Sequence, residues 1–346
     1  MIKIQRQVVL ASYTTLRIGG LARFFTVVKN LEELKEALRW ARENKKEIFI
    51  LGGGSNILLT KSFPGLVIKN EITGSEIIRE TEKSVWYQAY SGENWQKFVE
   101  TSVRRHLYGL ENLASIYGTV GAAPVQNIGA YGAELKDVFV SLEAINLKTG
   151  RSKIFKAADC HFAYRDSIFK KSLKGKYFIY RLTVKLSKEP RLNLNYGGIK
   201  DILSAKKIKT PTSKQVALVV TELRASKLPV PAVLPNAGSF FKNPEVSEKE
   251  FKKLQKRWPE IKFFPGSKPK LIKIPAGWLI EQAGFKGKRY GAVGMYEKQA
   301  LILVNYDGAS AAEVLAQIKR VIKGVKKRFD LTLEPEVNII PPLTKK

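Results

Sequence analysis

The stretch from Tyr108 to Glu134 constrains the fold of this chain most, because it is rich in glycine and alanine and nearly free of charge. Ordinary surface linkers are polar, so we expect this stretch to pack closely against another part of the molecule or a ligand. Small residues let a backbone approach a flat ligand, and the amides of Gln126 and Asn127 can contact polar ring edges. A buried crossing of the chain is the alternative, and the polar pair disfavours it.

A second glycine-rich segment, Gly52-Gly53-Gly54-Ser55-Asn56, follows an apolar run at 47–51 that predicts a strand. It lacks the Lys-Ser/Thr of a P-loop and the spacing of a Rossmann fingerprint. By itself the segment is typical of a tight turn between strands. Its successive backbone N–H groups would also suit a pyrophosphate.

Length and composition favour a globular enzyme of two or three domains, because 346 residues exceed what a single core usually organises. The N-terminus lacks the apolar core of a secretory signal, and the longest aliphatic runs, such as 300–304, are too short to span a bilayer. The single Cys160 can form no internal disulfide. We therefore expect an unexported, cytoplasmic protein.

The net charge of +29 raises nucleic acid or an anionic membrane as partners. Lysine and arginine are, however, spread along the chain and interleaved with glutamate, without an RNA-binding aromatic signature or a zinc-finger spacing. His106 and His161 have no metal-ligand spacing. We expect a solvated basic surface, no specific nucleic acid, no membrane insertion and no metal.

Hydrophobic periodicity predicts a mixed α+β protein without a regular βαβ rhythm. The predicted helices lie at 31–41, 95–103, 214–226, 247–257 and 275–283, with a last one opened by the capping box of Ser310 and Glu313. Predicted strands lie at 47–51, 57–59, 85–90, 139–147, 177–186 and 300–305.

A series of strings along nearly the whole chain resembles, in order, the motifs of the UDP-N-acetylenolpyruvoylglucosamine reductases, the MurB family. Any one string would be weak evidence, but the ordered set makes coincidence implausible. The strings are TTLRIGG from Thr14, GGGSN from Gly52, GTVGAAPVQNIGAYG from Gly118, YRDS from Tyr164, KLPVP from Lys227, NAGSFFKNP from Asn236, AGWLIEQAGFKG from Ala276 and LEPEV from Leu333.

The resemblance implies a two-part FAD-binding module of the vanillyl-alcohol-oxidase type and a C-terminal α+β substrate-binding domain. We expect the two FAD-binding parts at 1–71 and 72–213 and the substrate domain at 214–330, with 331–346 packing back near the first part. FAD would be held noncovalently, and NADPH would reduce it without a Rossmann domain. The implied reaction reduces UDP-N-acetylglucosamine enolpyruvate to UDP-N-acetylmuramate, a peptidoglycan precursor needed for cell shape and division, and the resemblance suggests a monomer.

The resemblance also assigns roles to residues of this sequence. Reduced FAD would deliver a hydride from N5, Ser239 would donate the proton, and Arg165 and Glu336 would stabilise the enolate. Contacts to the UDP-sugar fall to Tyr164, Tyr196, Lys227, Asn243, Lys286 and Gln299. The cofactor residues would be Gly52, Gly53, Gly54, Ser55, Asn56, Gly118, Thr119, Gly121, Ala122, Gln126, Asn127, Gly129, Ala130 and Tyr131.

Three positions depart from the family pattern. Asn338 stands where many members have arginine, and Tyr117 and Ala122 replace the commoner Pro and Gly of the flavin loop. Two alternatives stay open. One is an oxidase or dehydrogenase on the same flavin-binding fold, acting on another sugar or alcohol. The other is a basic nucleic-acid-binding protein on a degenerate enzyme scaffold, for which salt-sensitive nucleic-acid retention without flavin would be diagnostic.

Overall fold

The computed structural model describes residues 2–196 and 198–341, and the contacts of the chain divide it into two compact units. The first unit contains Met1–Val8, Ala22–Gly53 and Phe63–Ala225. The second contains Val9–Leu21, Gly54–Ser62 and Ser226–Lys346. Each unit is therefore assembled from separate stretches of sequence.

Strands occur along the whole described range. They are β1 (Gln5–Val9), β2 (Leu21–Val28), β3 (Ile48–Leu51), β4 (Ile57–Leu59), β5 (Phe63–Asn70), β6 (Ser75–Glu80), β7 (Ser84–Tyr90), β8 (Gly129–Ala130), β9 (Ala133–Glu134), β10 (Phe139–Asn146), β11 (Ser152–Lys156), β12 (Tyr177–Ser187), β13 (Asn236–Ser239), β14 (Glu245–Ser247), β15 (Phe264–Pro265), β16 (Leu271–Lys273), β17 (Arg289–Tyr290), β18 (Val293–Met295), β19 (Ile302–Asn305) and β20 (Asn338–Ile340).

Helices alternate irregularly with these strands. They are α1 (Leu31–Glu43), α2 (Trp95–Arg104), α3 (Ala157–Cys160), α4 (Ile199–Ala205), α5 (Ser213–Ala225), α6 (Glu248–Arg257), α7 (Ala276–Gln282) and α8 (Ala311–Phe329). Short 3₁₀ segments lie at Leu10–Tyr13, Glu111–Leu113, Val120–Val125, Leu135–Asp137 and Ile168–Lys170.

One layer of the first unit is a sheet of order β1-β2-β5-β3, in which β2 and β3 run parallel to the central β5. Helix α1 packs on this sheet because its apolar stripe, including Leu34 and Leu38, is buried in one cluster with Phe24. The helix begins where Asn30 Oδ1 accepts the N–H of Glu33 at 2.9 Å.

A second sheet of the first unit is antiparallel, with the order β11-β10-β12-β7-β6. Helix α2 packs against it, and Tyr87 of β7 stacks on Phe98 with ring centroids 4.6 Å apart. The buried Trp95 indole donates from Nε1 to the Leu113 carbonyl at 2.9 Å, so its polar group is satisfied inside the core.

Helix α5 belongs to the first unit, although the sequence placed 214–225 in the substrate domain. Its buried side chains, among them Val216, Val220 and Leu223, pack in the same core as Trp95. We expected the last domain to begin at 214, just after the start of α5, but the buried face of α5 packs in the core of the first unit. The division of the earlier residues into 1–71 and 72–213 stays a prediction.

The second unit contains a sheet of order β13-β19-β18-β17 and a smaller sheet of order β14-β16-β15. Ile318 and Val321 of α8 are buried with Leu303 of β19, so the helix packs on the larger sheet. A capping box of Ser310 and Glu313 opens α8, as predicted. Strand β20 pairs in parallel with β4, which joins the C-terminal segment to 57–59.

The predicted helices and strands are confirmed as elements, with ends shifted by a few residues. The last predicted strand begins at Ile302 rather than 300, because the Ile302 N–H donates to the Gln299 carbonyl in a turn. The pattern missed the remaining strands, the longest of which are β2, β5, β6, β1 and β11, and the short helices α3 and α4. Residues 342–346 lie outside the described residues. No described helix combines the length and the apolar character that crossing a membrane requires.

The buried side chain of Asn305 fixes the end of β19, and its loss should destabilise the protein. Asn305 Nδ2 donates to the Leu16 carbonyl at 3.0 Å, and its Oδ1 accepts the Ala309 N–H at 2.9 Å. Asn305→Ala leaves both groups buried without a partner, at a cost of about 2–4 kcal/mol in the free energy of unfolding. We expect thermal unfolding in the presence of FAD to show a Tm lower by several degrees.

The matched control is Asn44→Ala, because Asn44 is exposed and bonds only locally, to the Trp40 carbonyl. Its effect should stay within about 0.5 kcal/mol. A Tm for Asn305→Ala equal to that of the control would contradict the assigned role.

Candidate active site

The two predicted cofactor segments meet in the first unit, where glycine is the only residue that fits. A Cβ on Gly52 would lie 2.7 Å from Thr119 Oγ1, and one on Gly53 would lie 2.9 Å from the Cα of Gly118. The GGGSN segment follows β3, which runs parallel to β5, and so begins at the carboxyl edge of this sheet, a usual ligand position. The structure thus brings together Gly52, Gly53, Gly118 and Thr119.

The backbone at this meeting point offers hydrogen-bond donors. The N–H groups of Gly53 and Thr119 donate to no atom within residues 2–196 and 198–341, and Thr119 is buried. Such donors are normally paired in native proteins. A phosphate oxygen would satisfy them, so the donor set and the absence of side chains fit the pyrophosphate of FAD.

The second-unit part of the GGGSN segment is held by its own neighbours. Gly54 has a φ of +64°, its carbonyl accepts the Thr15 N–H at 3.1 Å, and a Cβ there would collide with the Tyr13 carbonyl. Asn338 donates to the Asn56 carbonyl from both its N–H, at 3.0 Å, and its Nδ2, at 3.1 Å. Asn338, a departure from the family pattern, therefore supports a predicted cofactor residue, while Ser55 is half-buried.

The rest of the Gly118–Tyr131 segment is fixed mainly by protein contacts. Buried Asn127 uses its whole side chain: Oδ1 accepts the Lys136 N–H at 3.0 Å, and Nδ2 donates to Glu134 and to the Ala163 carbonyl, both at 3.1 Å. Lys170 Nζ lies 3.4 Å from Gln126 Oε1. The Asn127 side chain thus holds the segment in shape. Because its amide groups are already bonded to protein, it has little capacity to contact a cofactor.

The other members of this segment differ in exposure. Gly121 lies so close to Ser91 that a Cβ on it would collide with the serine Cβ. Ala122 is exposed, whereas Gly129 and Ala130 are half-buried in β8. Ala122 has a methyl group where the family pattern has glycine, and because the residue is exposed this methyl group is not packed tightly against the protein.

Arg165 lies at the tip of a turn closed by reciprocal 3.1 Å hydrogen bonds between Ala163 and Asp166. Its φ is +52°, and its Nη2 donates to the Gly129 carbonyl at 2.5 Å. The neighbouring Asp166 pairs with Lys171. The turn thus brings the predicted catalytic arginine against the predicted flavin segment.

One aromatic ring lies beside this arginine, and two others contact each other at the end of the flavin segment. The Arg165 guanidinium lies 5.5 Å from the centre of the Tyr164 ring. The rings of Tyr131 and Tyr196 meet edge-on at 5.6 Å, and burial raises the pKa of Tyr131. Tyr196 is 42% exposed, so it is not the core residue that aromatic residues in strands usually are.

Arg224 is a candidate site residue that the sequence analysis missed. It lies on α5, and its Nε donates to the Ser115 carbonyl at 3.1 Å. Burial lowers the pKa of Arg224, whereas Tyr131 and Tyr117 raise it and Arg165 lowers it, which places two like charges in one neighbourhood. Arg224 lies outside every motif, and the amphipathic spacing of its helix predicts a helix but no functional role for the residue.

In the second unit, the predicted proton donor and the predicted catalytic carboxylate lie on neighbouring segments. Ser239 is exposed at the end of β13, and the carbonyl of the adjacent Phe240 accepts the Glu336 N–H at 2.8 Å. Gly238 has a φ of +70° and donates its N–H to Asn236 Oδ1 at 3.0 Å. Buried Asn236 therefore shapes the turn that presents the serine, a role the sequence analysis did not assign.

The predicted substrate residues of the second unit fall in different places. Asn243 Oδ1 accepts the Ala276 N–H at 2.8 Å, and a Cβ on Gly277 would lie 2.8 Å from Gln299 Oε1, so Asn243 and Gln299 both reach the start of α7. Lys286 pairs with Glu281 at 2.8 Å, and Lys227 is exposed. Within the described residues no group of His, Cys, Asp and Glu is arranged to hold a metal.

Two family models match separate regions of the chain. Residues 22–154 match an FAD binding domain, and residues 229–340 match the C-terminal domain of UDP-N-acetylenolpyruvoylglucosamine reductase. The predicted combination of a vanillyl-alcohol-oxidase-type flavin module with a C-terminal α+β domain is thereby confirmed.

Individual relatives agree along almost the full length. The UDP-N-acetylenolpyruvoylglucosamine reductase of Flavobacterium johnsoniae is 46% identical, with 98% of this chain and 100% of the relative covered. That of Pseudomonas aeruginosa is 43% identical, with 98% and 99% covered. The crystal structure of the Thermus caldophilus enzyme superimposes with a TM-score of 0.66 at 25% identity, covering 98% of this chain and 99% of that one. The chain therefore belongs to the UDP-N-acetylenolpyruvoylglucosamine reductase family.

Proposed function

We infer that this protein is an FAD-dependent UDP-N-acetylmuramate dehydrogenase that uses NADPH to reduce UDP-N-acetylglucosamine enolpyruvate. In the reaction, the enolpyruvyl double bond gains a hydride at its terminal carbon and a proton at the neighbouring carbon, while NADPH becomes NADP⁺. The observation that carries the proposal is the pairing of a matched FAD-binding module with a family C-terminal domain in which Ser239 and Glu336 lie on neighbouring segments.

Bound FAD supplies the hydride, and the backbone of the two glycine-rich segments would hold it. We assign the pyrophosphate to the N–H donors around Gly53 and Thr119 and the ring system to the segment that ends at Tyr131. The glycine contacts support this assignment, because side chains at Gly52 or Gly53 would fill the space. Neither assigned segment contains a cysteine or histidine, so we expect noncovalent binding.

Ser239 is proposed as the proton donor. An enolate carbon is far more basic than a serine alkoxide, so transfer from a positioned hydroxyl is downhill. The exposed position of Ser239 and the support of its turn by Asn236 agree with this role, because a donor must be both reachable and fixed.

Arg165 and Glu336 are proposed to act on the carboxylate-conjugated anion that forms during the reaction. A guanidinium can neutralise this developing charge, commonly the largest catalytic contribution. The positive φ and the hydrogen bond to Gly129 hold Arg165 in one orientation against the flavin segment, which limits reorganisation during the reaction.

We assign the UDP-sugar to Tyr164, Tyr196, Lys227, Asn243, Lys286 and Gln299. The substrate pyrophosphate carries two negative charges, which lysine ammonium groups can neutralise. We further propose that the protein is a cytoplasmic monomer of peptidoglycan precursor synthesis. An oxidase acting on another alcohol is disfavoured, because the matched C-terminal domain is that of the reductases.

Replacement of Ser239 separates the two half-reactions. In Ser239→Ala, reduction of the flavin by NADPH should be unchanged, because this half-reaction does not protonate the enolpyruvyl substrate. Reoxidation by the enolpyruvyl substrate should slow by about a thousandfold, the loss expected for an essential proton donor. Anaerobic stopped-flow absorbance of the flavin band measures both rates.

The control is Ser204→Ala, an exposed serine on α4 in the first unit. Both half-reactions should keep their wild-type rates in this control. Equal slowing of reduction and reoxidation in Ser239→Ala would refute the assignment of Ser239.

Replacement of Gly53 tests the pyrophosphate assignment. In Gly53→Ala the new Cβ would lie 2.9 Å from the backbone of Gly118, so the two segments must separate. We expect the dissociation constant of FAD, measured by flavin fluorescence on the apoprotein, to rise at least about tenfold, as a loss of one good hydrogen bond implies. Gly175→Ala is the control, since Gly175 has a φ of +70° but no neighbour within 4 Å of the added Cβ. Equal FAD affinity in the two variants would count against the assignment.

A further inference from the structure

Lys69 of β5 reaches the glycine-rich segment from the sheet below it. In the sheet, Lys69 lies between Val27 of β2 and Leu51 of β3. Its half-buried side chain extends to the carboxyl edge, where Nζ donates to the Gly52 carbonyl at 2.7 Å. The bond therefore connects a sheet residue directly to the loop that we assign to the pyrophosphate.

The next residue on β5 supports the other cofactor segment. Asn70 Nδ2 donates to Ser91 Oγ at 2.7 Å, and Ser91 packs so tightly on Gly121 that a Cβ there would collide with it. Two consecutive residues at the end of one strand thus hold the two segments that meet at Gly53 and Gly118.

The hydrogen bond from Lys69 sets the orientation of one peptide group. The Gly52–Gly53 peptide is trans, so its C=O and its N–H point to opposite sides. Because the Gly52 carbonyl is drawn toward Lys69, the Gly53 N–H is turned away from the sheet. This is the N–H that donates to no described residue of the protein.

Lys69 forms no ion pair with an acidic side chain of residues 2–196 or 198–341, and its described acceptor is the Gly52 carbonyl. Burial lowers the pKa of Lys69, and the negative charge of Glu71 raises it by a smaller amount. A partly buried ammonium that forms no ion pair favours an anion beside it and polarises the peptide that it contacts.

We propose that Lys69 is a positioning residue for the pyrophosphate of FAD, acting through the Gly52–Gly53 peptide. The ammonium holds the carbonyl inward, and the opposite face of the peptide presents its N–H to the cofactor. The inference rests on the proposed assignment of Gly52–Gly53 to the pyrophosphate, and it adds a residue that lies outside every motif of the sequence.

The test compares FAD with riboflavin, which lacks the pyrophosphate, on apoprotein carrying Lys69→Met or Lys69→Arg. We expect Lys69→Met to raise the dissociation constant of FAD by about tenfold to a hundredfold, as for a charge-assisted hydrogen bond. Riboflavin affinity should change by less than about twofold, because it makes no pyrophosphate contact. Lys69→Arg should restore FAD affinity to within about threefold, since its guanidinium can donate to the same carbonyl.

Equal weakening of FAD and riboflavin, unchanged FAD affinity in Lys69→Met, or an arginine variant as weak as the methionine variant would overturn the proposal. Lys69→Leu, which also lacks a hydrogen-bond donor, replaces Lys69→Met if the latter fails to fold by circular dichroism, and the same outcomes apply. Gly53→Ala separates the two assignments. If Gly53→Ala weakens FAD binding while Lys69→Met does not, only the proposed role of Lys69 fails. If neither variant weakens FAD binding, the assignment of the loop to the pyrophosphate fails as well.

Discussion

The close approach of two glycine-rich segments in the first unit is the constraint on which the rest of the proposed site depends. Gly53 meets Gly118, and Gly52 meets Thr119, at distances that leave no space for a Cβ. Because side chains are excluded, backbone N–H groups are exposed together, and a phosphate can be bound by main chain alone. The proposed flavin site therefore depends on packing between segments that are far apart in sequence, and neither segment needs the fingerprint of a Rossmann domain or a P-loop.

In the second unit, the backbone positions Ser239 and Glu336, which we propose as the proton donor and the catalytic carboxylate. Gly238 adopts a positive φ, Asn236 binds its N–H, and Phe240 accepts the N–H of Glu336. The two chemical groups then lie on segments whose large neighbours, Phe240 and Phe241, fill the core. The same residues that stabilise the unit thus fix its reactive groups.

Local sequence rules predicted much of this structure because they describe local physics. The caps at Asn30 and Ser310, and the apolar stripes of α1, α2 and α8, place these helices correctly. The glycine-rich strings among the ordered motifs also include the segments that meet at Gly53 and Gly118. The domain boundary could not be found in this way, because α5 is amphipathic in either unit and only tertiary packing decides which core receives it.

Contacts between distant residues were the other part that the sequence left hidden. Lys69 lies in a strand that periodicity missed, and its partner Gly52 lies on another strand end. Arg224 and Asn338 likewise act through carbonyls of Ser115 and Asn56, and no spacing rule connects those positions. The sequence alone identifies Asn338 only as a departure from the family pattern. In the structure it anchors Asn56, so the substitution leaves a defined contact in place.

The central claim is that one flavin accepts electrons from NADPH and passes them to the enolpyruvyl sugar. The most direct measurement is anaerobic stopped-flow absorbance of the wild-type protein, with NADPH added first and UDP-N-acetylglucosamine enolpyruvate second. The account predicts loss of the flavin band with NADPH and its return only with this substrate, accompanied by formation of UDP-N-acetylmuramate. A flavin that is reduced but not reoxidised by the substrate would contradict the claimed activity, and a protein that binds no FAD would contradict the account as a whole.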